Sequence, residues 1–396
     1  MTDPESASLR GVRVLAFCDY FTGTPSGGSE RVALEVYRRM ADRGAEVAVV
    51  SAAGDVAATE VDGLRVFPVP TVDLARYVGA EIAVAPSALR VAARAAAELH
   101  PHVLHANHLM FQTSLAAALL APRLGLPLVS TAHLGPLTSL RAGLRLPATV
   151  HERSVGRFIL RRSRRVIAVS SSVAAHLRHL RVDAARIDVV PNGVDHERFH
   201  PPAAGRPPAG TDRPPAVVFV GRLVANKGPA LFVEALGALA AAGVGFTATV
   251  VGDGPLRARL EAHVARLGLA GRVSFSGEVT DVADRLREAD IMVRPSLTEG
   301  LPLTVLEAMA SGACVLASDI PGNAELIVSG ASGLLFRPGD AGDLARQLKV
   351  LIADPALRRR LAGEGCRRAA AYSWDATADA TARVLTGVAG VPTHSR

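Results

Sequence analysis

Residues 291–318 read IMVRPSLTEGLPLTVLEAMASGACVLAS. The run 291–294 is short and apolar, which suits a buried strand. A loop with Glu299, Gly300 and Leu301 follows. Pro302 stands where proline fits the first helical turn, and the helix beginning there runs to Ser311 and stops at Gly312. A second apolar run, 314–317, then resumes as a strand. Strand, crossover helix and strand in so short a span is the repeating unit of a parallel sheet.

The same alternation extends in both directions. Apolar, β-branched runs at 12–17, 46–51, 64–69, 103–106, 128–131 and 166–170 precede a second set at 216–220, 246–251 and 273–275. Between them lie Ala-rich helical stretches such as 30–41, 88–99, 112–124 and 256–267. This pattern predicts an α/β fold whose parallel sheets are covered on both faces. Residues 201–215, PPAAGRPPAGTDRPP, hold six prolines and no periodicity. They read as a linker between two doubly wound domains, 1–200 and 216–372. The 396 residues fit two or three domains at about 150 apiece.

Composition narrows the function. Hydrophobic residues at 49% and charged residues at 20% exclude general disorder. The net charge is +7, and 44 basic residues less two lysines leave 42 arginines. An Arg- and Ala-heavy chain reflects a GC-rich genome, so the excess of Arg needs no functional cause, while Lys227 and Lys349 stand out. The basic residues are spread along the chain and aromatics are only 4%, so no nucleic-acid partner is expected. Cys18, Cys314 and Cys366 form no CxxC pair, which fits a reducing cytoplasm. The start, MTDPESASLRG, lacks the apolar region of a signal peptide. The longest uncharged window, 235–252, is broken by Gly237, Gly243 and Gly245, so it reads as helix end, turn and strand, not a membrane span.

Four places carry possible chemistry. After the strand 216–220, Gly221 is followed by Arg222 and Lys227, and a helix opens near Gly228–Pro229. Ligands sit beyond the carboxyl ends of parallel strands, and two cations there suit a diphosphate. In the block already quoted, the free N–H groups at the start of the helix, with a glycine allowing close approach, suit an anion. Glu299 and Glu307, spaced E-x7-E, repel phosphate but accept from sugar hydroxyls. Gly27 and Gly28 in DYFTGTPSGGSERVALEVY stand at a strand-to-helix turn, where backbone can approach a ligand. His133 follows the strand 128–131. Each also has a plainer alternative: solvated charges for Arg222 and Lys227, a helix-dipole acid for Glu299, a surface residue for Glu307, a tight turn at Gly27–Gly28, and a structural imidazole at His133.

Taken together these residues resemble the GT-B glycosyltransferases of family 4, the retaining group 1 enzymes. The pattern shows as GGSE (27–30), VVPNGVD (189–195), VGRLVANKG (220–228), VVGDGP (250–255), the E-x7-E block, PGNAEL (321–326) and YSW (372–374). The resemblance implies two Rossmann-like domains facing across a cleft, with the last helix, in 373–396, crossing back to the N-terminal domain. It implies that Arg222 and Lys227 hold the donor diphosphate, with Gly300, Leu301, Pro302 and Leu303 at the phosphate and sugar. Glu299 would bind sugar hydroxyls and Glu307 the ribose. Gly27 and Gly28 would close the phosphate site, His133 would touch the sugar, and Val279 would meet the base through its backbone. The implied reaction moves a sugar from a nucleoside diphosphate to a hydroxyl acceptor with retention, a UDP-sugar being expected over a GDP-sugar.

No carboxylate nucleophile is evident, so front-face transfer is expected, with the leaving phosphate taking the acceptor proton. No cofactor is expected. No D-x-D triad occurs, which with the cations above predicts no divalent metal. The histidines at 100, 102, 105 and 108 lack an acid or Cys partner, which argues against zinc. Arg141 and Arg145, in a loop after His133, suit an acceptor carrying a phosphate or carboxylate. The basic stretch 152–165, ERSVGRFILRRSRR, reads as an amphipathic helix that could dock peripherally on an anionic membrane. A nucleotide-sugar epimerase and a non-catalytic nucleotide-sugar-binding protein share the architecture. The first would need no acceptor, and the second would release no nucleoside diphosphate. A dehydrogenase is excluded because GVGFTA (243–248) precedes a strand instead of following one. Acceptor, pathway and oligomeric state are not legible.

Overall fold

The computed structural model describes residues 8–21, 27–52, 59–73, 83–135, 142–202 and 213–391. The chain forms two compact units. The first comprises 1–134, 142–192 and 374–396, and the second 135–141 and 193–373. The break after Asn192 precedes the Pro-rich stretch 201–215. The residues between are held by the second unit: Val194 N donates to Tyr372 O at 3.3 Å, and Phe199 is buried. Composition marks where a chain lacks pattern, whereas a unit ends where its contacts end. The helix Trp374–Ala389 belongs to the first unit, where Arg43 pairs with Asp375 (3.2 Å) and Asp379.

In the first unit, seven parallel strands run in the spatial order Ile187–Val189, Arg165–Ala168, Leu128–Ala132, Val103–Ala106, Arg13–Phe17, Glu46–Ser51, Leu64–Pro68, with antiparallel Glu60–Val61 at the edge. The order reverses direction between Arg13–Phe17 and Val103–Ala106, which makes that pair the topological switch point. The strands are buried on both faces, which is why they read as unbroken apolar runs.

The second unit is a six-stranded parallel sheet in the order Val273–Gly277, Thr247–Val251, Ala216–Val220, Ile291–Arg294, Cys314–Ser318, Leu334–Phe336. Its switch point lies between Ala216–Val220 and Ile291–Arg294. Phe219, Phe232, Leu236, Val250, Ile291, Leu316, Phe336 and Leu348 form its core. Pro229 opens the helix Pro229–Ala241, which with the strand Thr247–Val251 accounts for the uncharged window at 235–252. No helix among the described residues is long and apolar enough to cross a membrane.

Candidate functional site

The carboxyl ends of the two switch-point strands of the second unit converge on one carboxylate. Arg294, the last residue of its strand, donates from Nε (3.0 Å) and Nη2 (2.6 Å) to Glu299 Oε1, and from Nη1 to Val220 O at 2.8 Å. Lys227 Nζ donates to both oxygens of Glu299, at 2.9 and 3.0 Å. The Arg294 and Glu299 side chains are 5% and 8% exposed and that of Lys227 is 22% exposed, so the cluster is largely desolvated. Burial alone would raise the Glu299 carboxyl, but the charges of Arg294 and then Lys227 hold it down to about 2. Burial lowers Lys227, against the pull of Glu299. A carboxylate kept ionised beside two cations is a fixed acceptor for hydroxyl groups.

Local backbone makes this possible. Gly221 has φ +151°, and a Cβ there would lie 2.7 Å from Arg294 Nη1, so the missing side chain is the room the guanidinium occupies. Arg222 is half-buried in the next position. Lys227 ends a short 3-10 turn, Ala225–Lys227, which Gly228 leaves in the left-handed conformation at φ +69°. Beyond Glu299, the buried residues Gly300, Leu301 and Pro302 lead into the helix Leu303–Ala310. Pro302 is its N-cap, one position ahead of the first turn. The N–H groups of that turn lie outside the helical ladder. Glu307 is 5% exposed, which removes the surface-residue alternative. Val279 is half-buried two residues past the edge strand Val273–Gly277.

The first unit's switch point is also polar. Asp19 is buried and caps the helix Gln112–Leu124, accepting from Gln112 N (3.1 Å) and from Thr113 Oγ1 (2.5 Å). Burial raises its carboxyl to about 6, against those hydrogen bonds. Asn107 Nδ2 donates to Ser29 O at 3.0 Å, and Asn107 Oδ1 lies 3.4 Å from His133 Nε2. His133 stacks on His108 with ring centroids 5.8 Å apart, and His108 stacks on Phe111 at 4.5 Å. Burial, then neighbouring His108 and His105, push His133 well below its ordinary value. Burial also brings His105 and His108 to about 4. Gly27 is the N-cap of the helix Gly28–Asp42, and a Cβ on it would lie 2.1 Å from Glu30 Oε2, so the Glu30 carboxylate folds back over the helix start.

Two domain-family models match the chain. Glycosyl transferases group 1 covers residues 206–368, and Glycosyltransferase Family 4 covers residues 26–198. The chain belongs to the group 1, family 4 glycosyltransferases. It is 33% identical over 256 residues to the 2-deoxystreptamine glucosyltransferase of Streptomyces kanamyceticus, covering 61% of this chain and 65% of that one. It is 34% identical over 272 residues to the D-inositol 3-phosphate glycosyltransferase of Rhodococcus opacus (strain B4), covering 65% and 61%. The chain thus spans less than two thirds of the length of these relatives. Among solved structures it resembles Anabaena HepE in complex with UDP-glucose, with a TM-score of 0.75 at 21% identity over 96% of this chain and 98% of that one. The fold is therefore GT-B, with two parallel-sheet α/β domains.

Within this glycosyltransferase fold, the second unit brings Lys227 and Glu299 into contact and sets Arg222 on the same loop as Lys227. Gly27, Gly28 and His133 lie in the first unit. Arg141 lies outside the described residues. Arg145 lies on a helix, Ala142–His151, and not in a loop: the helix runs through both Gly143 and Pro147. The basic stretch is likewise not one regular helix. A π-turn at Glu152–Gly156 leads into the short helix Arg157–Arg162, and Ile159 and Leu160 are buried in the core instead of being offered to a membrane. Among the described residues no group of three or more His, Cys, Asp or Glu side chains is disposed to hold a metal ion. His105 is engaged on both sides, by Tyr37 Oη (2.9 Å) and Thr131 Oγ1 (2.8 Å).

Arg294 is the residue that sequence reasoning passed over. Its signal was a charge ending an otherwise apolar strand, five residues before a glutamate, but a terminal Arg in an Arg-rich chain reads as solvated.

Proposed function

We propose that this glycosyltransferase moves a sugar from a nucleoside-diphosphate donor, a UDP-sugar by preference, to a hydroxyl-bearing acceptor, with retention and without a metal. The observation that carries the reading is the buried Lys227–Glu299–Arg294 cluster at the second unit's switch point, with Arg222 beside it. Arg222 and Lys227 take the diphosphate, helped by the N-terminal turn of Leu303–Ala310 and the backbone of Gly300, Leu301, Pro302 and Leu303. Glu299 accepts from the sugar hydroxyls, Glu307 from the ribose, and Val279 meets the base. The Anabaena neighbour was solved as a complex with UDP-glucose, which supports this donor class.

Transfer on the donor's front face fits these residues. The acceptor oxygen forms its bond to the anomeric carbon as the bond to the diphosphate breaks, and the leaving phosphate takes the acceptor proton. The protein's share is to stabilise charge growing on the diphosphate and to hold the sugar in place. From the first unit, Gly27 and Gly28 close the phosphate site, and His133, with Asn107 beside it, touches the sugar. Two relatives are named for 2-deoxystreptamine and D-inositol 3-phosphate, which favours a polyhydroxylated ring as acceptor. Arg141 and Arg145 suit a phosphate on that ring, and a double Gln variant with unchanged acceptor KM would remove them from this role.

Incubating the protein with UDP-glucose, GDP-mannose and related donors against cyclitol acceptors, with EDTA present, tests the whole. The expected result is nucleoside diphosphate release that depends on the acceptor and persists in EDTA, with a product whose anomeric NMR coupling matches the donor. Loss of turnover in EDTA that returns with a divalent ion removes the metal-free claim. Donor binding without release in any pairing removes the enzymatic one.

A further inference from the structure

Two cations hold Glu299, and they hold it differently. Both bonds that Arg294 gives the carboxylate go to Oε1, while its third goes to the main chain at Val220. Its guanidinium is almost fully buried against Gly221. Lys227 bridges Oε1 and Oε2 from the end of a short turn, with a flexible four-carbon stem and a partly exposed side chain.

A diphosphate bound by Lys227 competes with Glu299 for the same ammonium group. Were Lys227 the carboxylate's sole counter-charge, its departure would strand a buried anion, at strongly unfavourable cost. The geometry points to Arg294 as a positioning residue that makes this exchange possible. It keeps Glu299 fixed and neutralised through Oε1, so that Lys227 can leave the carboxylate for the donor diphosphate and Oε2 is left open to the sugar hydroxyls. This role rests on the donor reading above and adds a residue to it. Arg294 touches neither donor nor acceptor; it acts through Glu299 and Lys227.

The test is UDP binding to the full chain by calorimetry, in wild type, Arg294→Met, Glu299→Gln and the double variant. UDP presents the diphosphate without the sugar. Arg294→Met should weaken UDP by about tenfold or more, because Lys227 then stays on Glu299 as its only counter-charge. Glu299→Gln, which releases Lys227, should bind UDP at least as tightly as wild type. In that background Arg294→Met should change affinity by no more than about twofold, because the two residues act as one unit. Arg294→Lys, which keeps a donor at Oε1, should recover most of the loss. Equal weakening in both backgrounds, or none in either, overturns the role. If Arg294→Met does not fold, Arg294→Lys and Glu299→Gln decide: tenfold weaker UDP binding in Glu299→Gln overturns it, and intermediate affinity in Arg294→Lys with tight binding in Glu299→Gln supports it. A wild-type chain that binds neither UDP nor another nucleoside diphosphate overturns the donor reading itself, and that outcome is visible before any substitution is made.

Discussion

Gly228 and Pro295 lie so close that a Cβ on residue 228 would fall 2.1 Å from the Pro295 carbonyl oxygen. The contact joins the turn that carries Lys227 to the strand end that carries Arg294, so it sets the spacing of the cluster. Gly228 also sits at φ +69°, where an L-residue costs about 1–2 kcal/mol. Gly330, at φ +81° with nothing within 4 Å of a Cβ, isolates the conformational cost alone. Gly330→Ala should lower the thermal midpoint by a few degrees, at roughly 2–4 °C per kcal/mol, and leave nucleotide binding intact. Gly228→Ala should lower it further and abolish UDP binding. Equal effects of the two substitutions in both assays would dissociate the Pro295 contact from the site.

Lys227→Ala and Arg222→Ala should each lower kcat/KM by about 100-fold or more, the scale on which a positioned charge stabilises a transition state. Fold should survive in Lys227→Ala, because Arg294 continues to hold Glu299. Circular dichroism and steady-state release of nucleoside diphosphate check both statements. Near-wild-type turnover in both variants would sink the diphosphate assignment.

The strands and long helices were legible because burial on both faces writes unbroken apolar runs, and the helices at 88–99 and 112–124 appear at the bounds read from sequence. The edge strands Ile187–Val189 and Leu334–Phe336 were not, since three residues carry no period. Lys227 was legible by rarity. Its counterpart Lys349 is exposed on the helix Ala341–Ala353, whereas Lys227 is held against Glu299, so rarity alone does not tell a buried charge from a solvated one. Arg294 was hidden because its burial is decided by Glu299, and a one-dimensional reading assigns a strand-end charge to solvent. Asn107 was hidden for the same kind of reason: its value comes from Ser29 and His133, which are distant in sequence.

Two acids should give opposite slopes of stability with pH. Glu299 is held at about 2 in the folded chain against an ordinary 4.5. Its contribution is therefore complete above about 4.5 and lost as pH falls through 2. Asp19 is raised to about 6 from 3.8. Its contribution is complete below about 3.8 and lost as pH rises through 6. In urea unfolding, the deficit of Glu299→Gln should shrink as pH drops from 4.5 towards 2. Asp19→Asn should remove a decline in stability between pH 4 and 6. The single tryptophan, Trp374, is buried in the first unit with Asp19, so its fluorescence follows that transition. Parallel pH profiles for wild type and Asp19→Asn would show that Asp19 does not titrate in this range.

His133 should work as a neutral imidazole. Asn107 spends its amide N–H on Ser29 O, which leaves Oδ1 facing His133 Nε2 as an acceptor. Nε2 then carries the hydrogen and Nδ1 is left as an acceptor. Since burial and the neighbouring His108 and His105 lower the ring well below 6.5, its neutral form persists through pH 6–8. His133→Ala should lower kcat/KM by about 10–100-fold at pH 7.5 without adding or removing an ionisation between pH 6 and 8. Asn107→Asp places a carboxylate beside the ring and favours the imidazolium, so an ionisation absent from wild type should enter that window. The profile of kcat/KM against pH distinguishes the cases. A wild-type limb near pH 6.5 that vanishes in His133→Ala would mean the imidazole titrates during turnover and acts by proton transfer rather than as a fixed neutral partner.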